Sequence, residues 1–251
     1  MDERQLYAYL LTCWFLLAPV AAAVLLRVNA PYGRHARPGF GPALPARLGW
    51  LVMEMPAAVG MPVLFLLGDR RGAGAVALLL LWQVHYVHRA LIFPFRMRGG
   101  RPMPLAVVLA ALVFNVCNVY LNGRWLFALG PPREAAWLLD PRFAVGAGLF
   151  LGGLAINLHA DTVLLRLRRE GETGYRVPQG GLFRFVSCPN YLGEIIEWLG
   201  WALASSSLAG LAFALWTAAN LVPRARAHHR FYRERLPDYP AHRRALVPFL
   251  Y

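Results

Sequence analysis

The apolar residues of this chain fall into long stretches broken by clusters of Arg, Pro and Gly. A bilayer core about 30 Å thick is crossed by about 20 residues of helix. The pattern predicts seven spans: Leu6 to Val28, Leu48 to Gly68, Ala73 to Phe95, Pro104 to Leu121, Phe143 to Leu165, Tyr191 to Ser206 and Leu208 to Val222. The last two are short and the break at Ala204 to Ser207 is weakly marked, so a six-span count also fits. Small residues at Ala18 to Ala23 resemble a signal-peptide cleavage region. The start MDER is not clearly basic, however, and the apolar stretch outruns the roughly 7 to 15 residues of a signal core, so the segment reads as a helix that stays.

Composition agrees and adds a sidedness. Of 251 residues, 58% are hydrophobic and 16% charged, against about 25% charged in a soluble domain. All 26 basic residues are arginine, set against 13 acidic ones, for a net charge of +13. On so apolar a chain this charge suits loops that face anionic headgroups or an anionic ligand, and no nucleic-acid partner is expected. With the N-terminus outside, 19 arginines fall in cytosolic segments and 6 in outer ones, while Arg89 lies within a span. The positive-inside rule then predicts an all-α integral membrane protein with its N-terminus outside and its C-terminus cytosolic. The arginine-only composition leans towards a bacterial inner membrane; in a eukaryote the expectation is the endoplasmic reticulum.

Cys13, Cys117 and Cys188 imply neither a disulfide framework nor a Cys-rich metal site. No glycine-rich nucleotide fingerprint follows a strand, and Gly146, Gly148, Gly152 and Gly153 lie inside an apolar span, where small residues let helices approach closely. Residues 1–251 form a single membrane domain, expected to act as a monomer.

Ionisable side chains inside a span are costly and are functional candidates by default. Glu54 lies seven residues past Arg47, about 10 Å below the cytosolic surface. Tyr86 lies nine residues before Phe95, about 14 Å deep from the same side. The two can therefore meet, although Glu54 can equally be a structural partner of Arg89, which shares a helix face with Tyr86. His85 and His88 lack a second ligand pair nearby, so no metal is expected. Asn157, Asp161 and Arg168 share one face of the fifth span. Asn190, Glu194, Glu197, Trp198 and Trp201 make another one-sided stripe, whose acids must meet arginines, amides or a wet cavity. Arg224, His228 and Tyr232 recur at i, i+4 and i+8 in the tail, which can also be read as a basic segment lying on anionic lipid. The first half thus offers a deep apolar chamber ending in a carboxylic acid and a phenol. The second half offers an arginine-rich mouth suited to a phosphate-bearing cofactor.

At these residues the sequence resembles the steroid 5α-reductases, or 3-oxo-5α-steroid 4-dehydrogenases. The resemblance rests on GYRVPQGGLFRFVSCPNYLGEIIEWLGW from Gly174 to Trp201 and on the ending HHRFYRERLPDYPAHRRALVPFLY. It extends to NAPYGRH from Asn29, LPARLGWLVMEMPA from Leu44, VHYVHRALIFPF from Val84 and NLHADTVLLRLR from Asn157, nearly the whole chain in register. It implies a seven-helix enzyme that reduces the C4–C5 double bond of a 3-oxo-Δ4 steroid with NADPH, with substrate-chamber helices over about 1–122 and an NADPH-binding half over about 143–251. Glu54 and Tyr86 would be the catalytic pair on the C3 carbonyl oxygen. Trp50, Met53, Arg89, Phe114 and Trp216 would bind the steroid. Asn157, Asp161, Arg168, Tyr175, Asn190, Glu194, Trp198, Arg224, His228 and Tyr232 would hold the cofactor, with Arg101 near its phosphates. The family has a glutamine before the catalytic glutamate where this chain has Met53, one polar contact to substrate fewer.

The residues suit that chemistry. Hydride adds to the β-carbon of the enone, charge develops on the C3 oxygen, and hydrogen-bond donors aimed there lower the barrier. A protonated Glu54 can donate, and burial favours that form, whereas Arg89 favours the carboxylate. The proton for C4 can come from Tyr86 or water. Other readings are a reductase of a polyprenol or enoyl-thioester, and an isoprenylcysteine-type methyltransferase using S-adenosylmethionine, which would leave Glu54 and Tyr86 without a task.

Overall fold

A computed structural model describes residues 1–97, 99–167 and 175–251. Among these residues the chain forms seven long helices: α1 (Glu3–Arg27), α2 (Ala46–Leu67), α3 (Ala73–Arg96), α4 (Leu105–Leu129), α5 (Pro141–Arg166), α6 (Pro189–Ser205) and α7 (Leu208–Arg235). Five of them, α1 to α5, are long and apolar enough to cross a membrane. They start and end within a few residues of the first five expected spans, except that α4 continues to Leu129. α6 has 17 residues and carries Glu194 and Glu197. α7 runs through the expected end at Val222 to Arg235.

The weakly marked break between the last two helices is real. Ser206 is left-handed at φ 44°, and the Ser207 hydroxyl accepts the Gly210 amide at 2.9 Å, which caps α7. A short antiparallel pairing of Ala43–Leu44 with Met103–Pro104 ties the loop before α2 to the loop before α4. α3 is not a uniform helix. It is α-helical to Val87, makes a π turn over His88–Ile92 and ends in one more α turn. Such a turn accommodates one extra residue and resets the faces beyond it.

The core is aromatic: Trp82 and Tyr86 of α3, Phe127 of α4, Phe150 of α5, Trp198 and Trp201 of α6 and Phe213 of α7 bury together. α5 and α6 approach backbone to backbone. A Cβ on Gly146 or Gly153 would collide with the main chain of Ala204 or Glu197, and one on Gly193 would sit 2.6 Å from the Asn157 nitrogen. Gly148 and Gly152, read together with these as packing residues, face open space instead. α1 is the least enclosed helix, burying Tyr7 and Ala18.

Candidate active site

Glu54 lies about two turns inside α2. Opposite it, the buried Asn115 of α4 donates its amide to the Met53 carbonyl at 2.6 Å and to Glu54 Oε2 at 3.4 Å. Met53 itself is buried beside Met103 and Val108. Tyr86, 3% exposed, packs against Trp82 at 4.7 Å, His85 at 4.9 Å and Trp198 at 5.8 Å, within electrostatic reach of Glu54.

Arg89, the alternative partner for Glu54, lies within the π turn of α3 and makes its ion pairs elsewhere. Its Nη1 meets Asp161 Oδ2 at 3.3 Å and its Nη2 lies 3.7 Å from Glu194 Oε2. The guanidinium lies over Trp50 at 4.5 Å and over Phe93 at 5.0 Å. Around it the two expected polar stripes face each other across α5 and α6. Asn190 donates to Asp161 Oδ1 at 3.0 Å, and Asn157 donates to Glu194 Oε2 at 3.3 Å and to the Asn190 carbonyl at 3.0 Å.

A second pair was not foreseen. Glu197, fully buried, puts Oε1 2.8 Å from His85 Nδ1, while its Oε2 has no partner. The sequence marked Glu197 as an acid needing a partner and His85 as a polar residue without a task, but nothing local joined them.

At the arginine-rich end, the loop after α1 closes on α6 and α7. Arg34 donates to the Tyr232 hydroxyl at 3.0 Å, Arg224 donates to the Tyr191 hydroxyl at 3.1 Å, and Arg224 lies 3.7 Å over the Tyr32 ring. Tyr175 sits 4.9 Å from Phe231, with the Arg34 guanidinium 5.6 Å over its ring. Tyr32, Arg34, His35 and Tyr191 were missed as site residues, although the motifs NAPYGRH and CPNYLGE contain them. Arg101 is exposed and donates to the Ala36 carbonyl at 3.4 Å. Arg168 lies outside the described residues.

His35 Nε2 and His228 Nδ1 are 2.9 Å apart, and His228 Nε2 meets the Tyr191 hydroxyl at 3.1 Å. Burial, with Arg224 and Arg34 nearby, lowers His35 to about 4, and burial with the same two arginines pushes His228 well below the usual range. Between the free value near 6.5 and these lowered values, the unfolded chain binds protons that the folded chain does not. Stability should therefore fall as pH is lowered from about 6.5 towards 4. Melting in detergent at pH 7 and pH 5 measures this, and the drop should be smaller in His35→Gln; an identical drop in that variant would exclude His35 as a source.

The remaining aromatic candidates lie towards the other end. Phe114 and Trp216 pack edge to face at 5.4 Å, and Trp14 of α1 joins them, stacked on Phe114 at 5.4 Å and 5.1 Å from Trp216. Trp198 is 1% exposed and forms part of the core around Tyr86.

Residues 101–251 match the 3-oxo-5-alpha-steroid 4-dehydrogenase family. The whole chain is 44% identical to 3-oxo-5-alpha-steroid 4-dehydrogenase 1 of Macaca fascicularis, of which 95% is covered. It is 43% identical to the protein of that name from Homo sapiens, with 100% of this chain and 97% of the human one aligned. Over 99% of this chain and 98% of the relative, it is 38% identical to steroid 5-alpha-reductase DET2 of Arabidopsis thaliana.

Proposed function

This chain belongs to the 3-oxo-5-alpha-steroid 4-dehydrogenase family, and from that membership we propose that it reduces the C4–C5 double bond of a 3-oxo-Δ4 steroid to the 5α product with NADPH. It is an oxidoreductase acting on a CH–CH bond. In this reading seven helices cross the membrane, the N-terminus lies outside and the arginine-rich mouth opens to the cytosol, the side on which the positive-inside rule puts it.

The observation that carries the reading is that the ion pairs of Arg89 among the described residues go to Asp161 and Glu194 and not to Glu54. Arg89 is engaged by Asp161 and Glu194, and the group that reaches the Glu54 carboxyl is the Asn115 amide. A buried carboxyl whose hydrogen-bond partner is an amide, with the nearby arginine ion-paired to other acids, is suited to holding a proton and donating it. Glu54 and Tyr86 together donate to the C3 oxygen of the enone. As C5 gains hydride, negative charge moves onto that oxygen, and both donors strengthen their hold on it. C4 then gains a proton, which completes the reduction.

NADPH, when bound, supplies the hydride. The donor set fits it: the partners of Arg34 and Arg224 among the described residues are hydroxyls and a carbonyl, not carboxylates, and Arg34 Nη1 is buried without a partner. Two guanidiniums, buried Arg224 and half-buried Arg34, that no acid neutralises among the described residues suit phosphates. Asn157, Asp161, Asn190 and Glu194 offer amide donors and carboxylate acceptors for an uncharged ring.

Purified protein in lipid nanodiscs should consume NADPH when given a 3-oxo-Δ4 steroid and not when given the 3-hydroxy counterpart, which lacks the polarised enone. Equal consumption with both, or tight binding of S-adenosylmethionine in place of NADPH, would defeat the proposal.

A further inference from the structure

Resting on the reading of this chain as a 3-oxo-Δ4 steroid reductase, we propose that Trp14 is a specificity-determining residue. Its indole N–H donates to an oxygen at the end of the steroid remote from C3. The preferred substrate then carries a hydrogen-bond acceptor on its D ring.

An indole has one donor and no acceptor, and leaving it unpaired in an apolar interior is costly. Trp14 Nε1 is buried and has no partner. Four other indoles in this protein are satisfied. Trp82 donates to the Ala57 carbonyl at 2.9 Å, Trp137 to the Ala204 carbonyl at 3.0 Å and Trp201 to Asn122 Oδ1 at 2.9 Å. Trp216 donates to the carbonyl of Trp14 itself at 2.8 Å. The same residue thus has its carbonyl engaged and its N–H idle.

The idle donor sits among the side chains assigned to substrate. The Trp14 ring stacks on Phe114 with planes 24° apart and lies 5.1 Å from Trp216. Phe114 adjoins Asn115, whose amide reaches Glu54. Depth agrees. Trp14 lies 13 residues before Arg27, the arginine-rich end of α1, hence about 20 Å from that end. Glu54 lies eight residues after Ala46, at the same end of α2, hence about 12 Å in. A rigid four-ring skeleton with C3 between Glu54 and Tyr86 and its D ring pointing away from the arginine-rich mouth ends near the Trp14 level. A site built to hydrogen-bond a substrate oxygen discriminates strongly against an analogue lacking it, because the buried donor is then left unpaired.

The test compares two 3-oxo-Δ4 steroids that differ only in a 17-oxo group, using wild type, Trp14→Phe and Asn118→Ala. Asn118 is included because its amide nitrogen is also buried without a partner, one turn beyond Asn115 on α4. Wild type should prefer the 17-oxo steroid by about tenfold or more in kcat/KM, the worth of a buried neutral hydrogen bond. Trp14→Phe should bring the kcat/KM ratio of the two steroids close to one, and its melting in detergent reports that the variant folds. Equal losses on both steroids would make Trp14 a packing residue and overturn the proposal. So would a preference kept in Trp14→Phe, or one lost only in Asn118→Ala. If wild type reduces neither steroid, the parent reading fails and takes this one with it; if it reduces both without preference, only this one fails.

Discussion

Glu54→Ala should lower steroid turnover by about 100-fold or more, in the range seen when one oxyanion donor is removed, and Tyr86→Phe should do the same. NADPH affinity should stay near wild type in both, because the residues that suit the cofactor lie around Arg89 and at the arginine-rich end. Glu54→Gln keeps a donor of similar shape and should retain more activity than Glu54→Ala. The geometry allows this ordering, since Asn115 holds the carboxyl from one side and the ion pairs of Arg89 among the described residues go to Asp161 and Glu194. Single-turnover NADPH oxidation is the measurement. Wild-type turnover in Glu54→Ala, or a defect traced entirely to lost folding in detergent, would return the carboxylate to a structural role.

Arg89→Leu should destabilise the folded protein by about 3 to 5 kcal/mol, the usual cost of removing one partner from a buried ion pair. The substitution leaves Asp161 and Glu194, both held within hydrogen-bonding networks of α5 and α6, without their cation. Adding Asp161→Asn and Glu194→Gln to Arg89→Leu removes the stranded charges and should recover most of the lost melting temperature. A single variant that melts like wild type would show that the arginine is dispensable to the hub and that the carboxylates are balanced by other groups.

Much of the fold is written in the chain because lipid imposes a simple rule: each span must be apolar for about 20 residues. That rule locates α1 to α5, but it reads lipid and not helix. It stops α7 at Val222, whereas backbone hydrogen bonding carries that helix on to Arg235 through arginines, which are good helix formers. The stripes Asn157, Asp161 and Asn190, Glu194 were each visible as one face of a helix; that they oppose each other depends on α5 and α6 being neighbours. The π turn left no periodic signal, so the aim of Arg89 could not be read, and its pairing with Glu54 stayed open beside the catalytic role. His85 and Glu197 are separated by 112 positions and meet only through tertiary packing. Arg34 and His35 sit in a connection between helices, where neither hydropathy nor spacing separates a ligand-facing cation from a solvated one. Trp14 looked like any aromatic residue in a lipid-facing helix until its nitrogen was seen to be idle.

The glycine contacts between α5 and α6 have a mechanical consequence. Where backbones touch at Gly146, Gly153, Gly193 and Gly200, no layer of side chains remains to yield by changing rotamers. Asn157 and Asp161 on one helix, and Asn190 and Glu194 on the other, are therefore carried by one stiff plank. Whatever opening admits a bulky lipophilic molecule must be hinged elsewhere. The least buried of the long helices is α1, which buries Tyr7 and Ala18 and carries Trp14 on its inner side. In the proposed reading the residues suited to the cofactor thus sit on a stiff wall, and the proposed D-ring donor sits on the least buried helix.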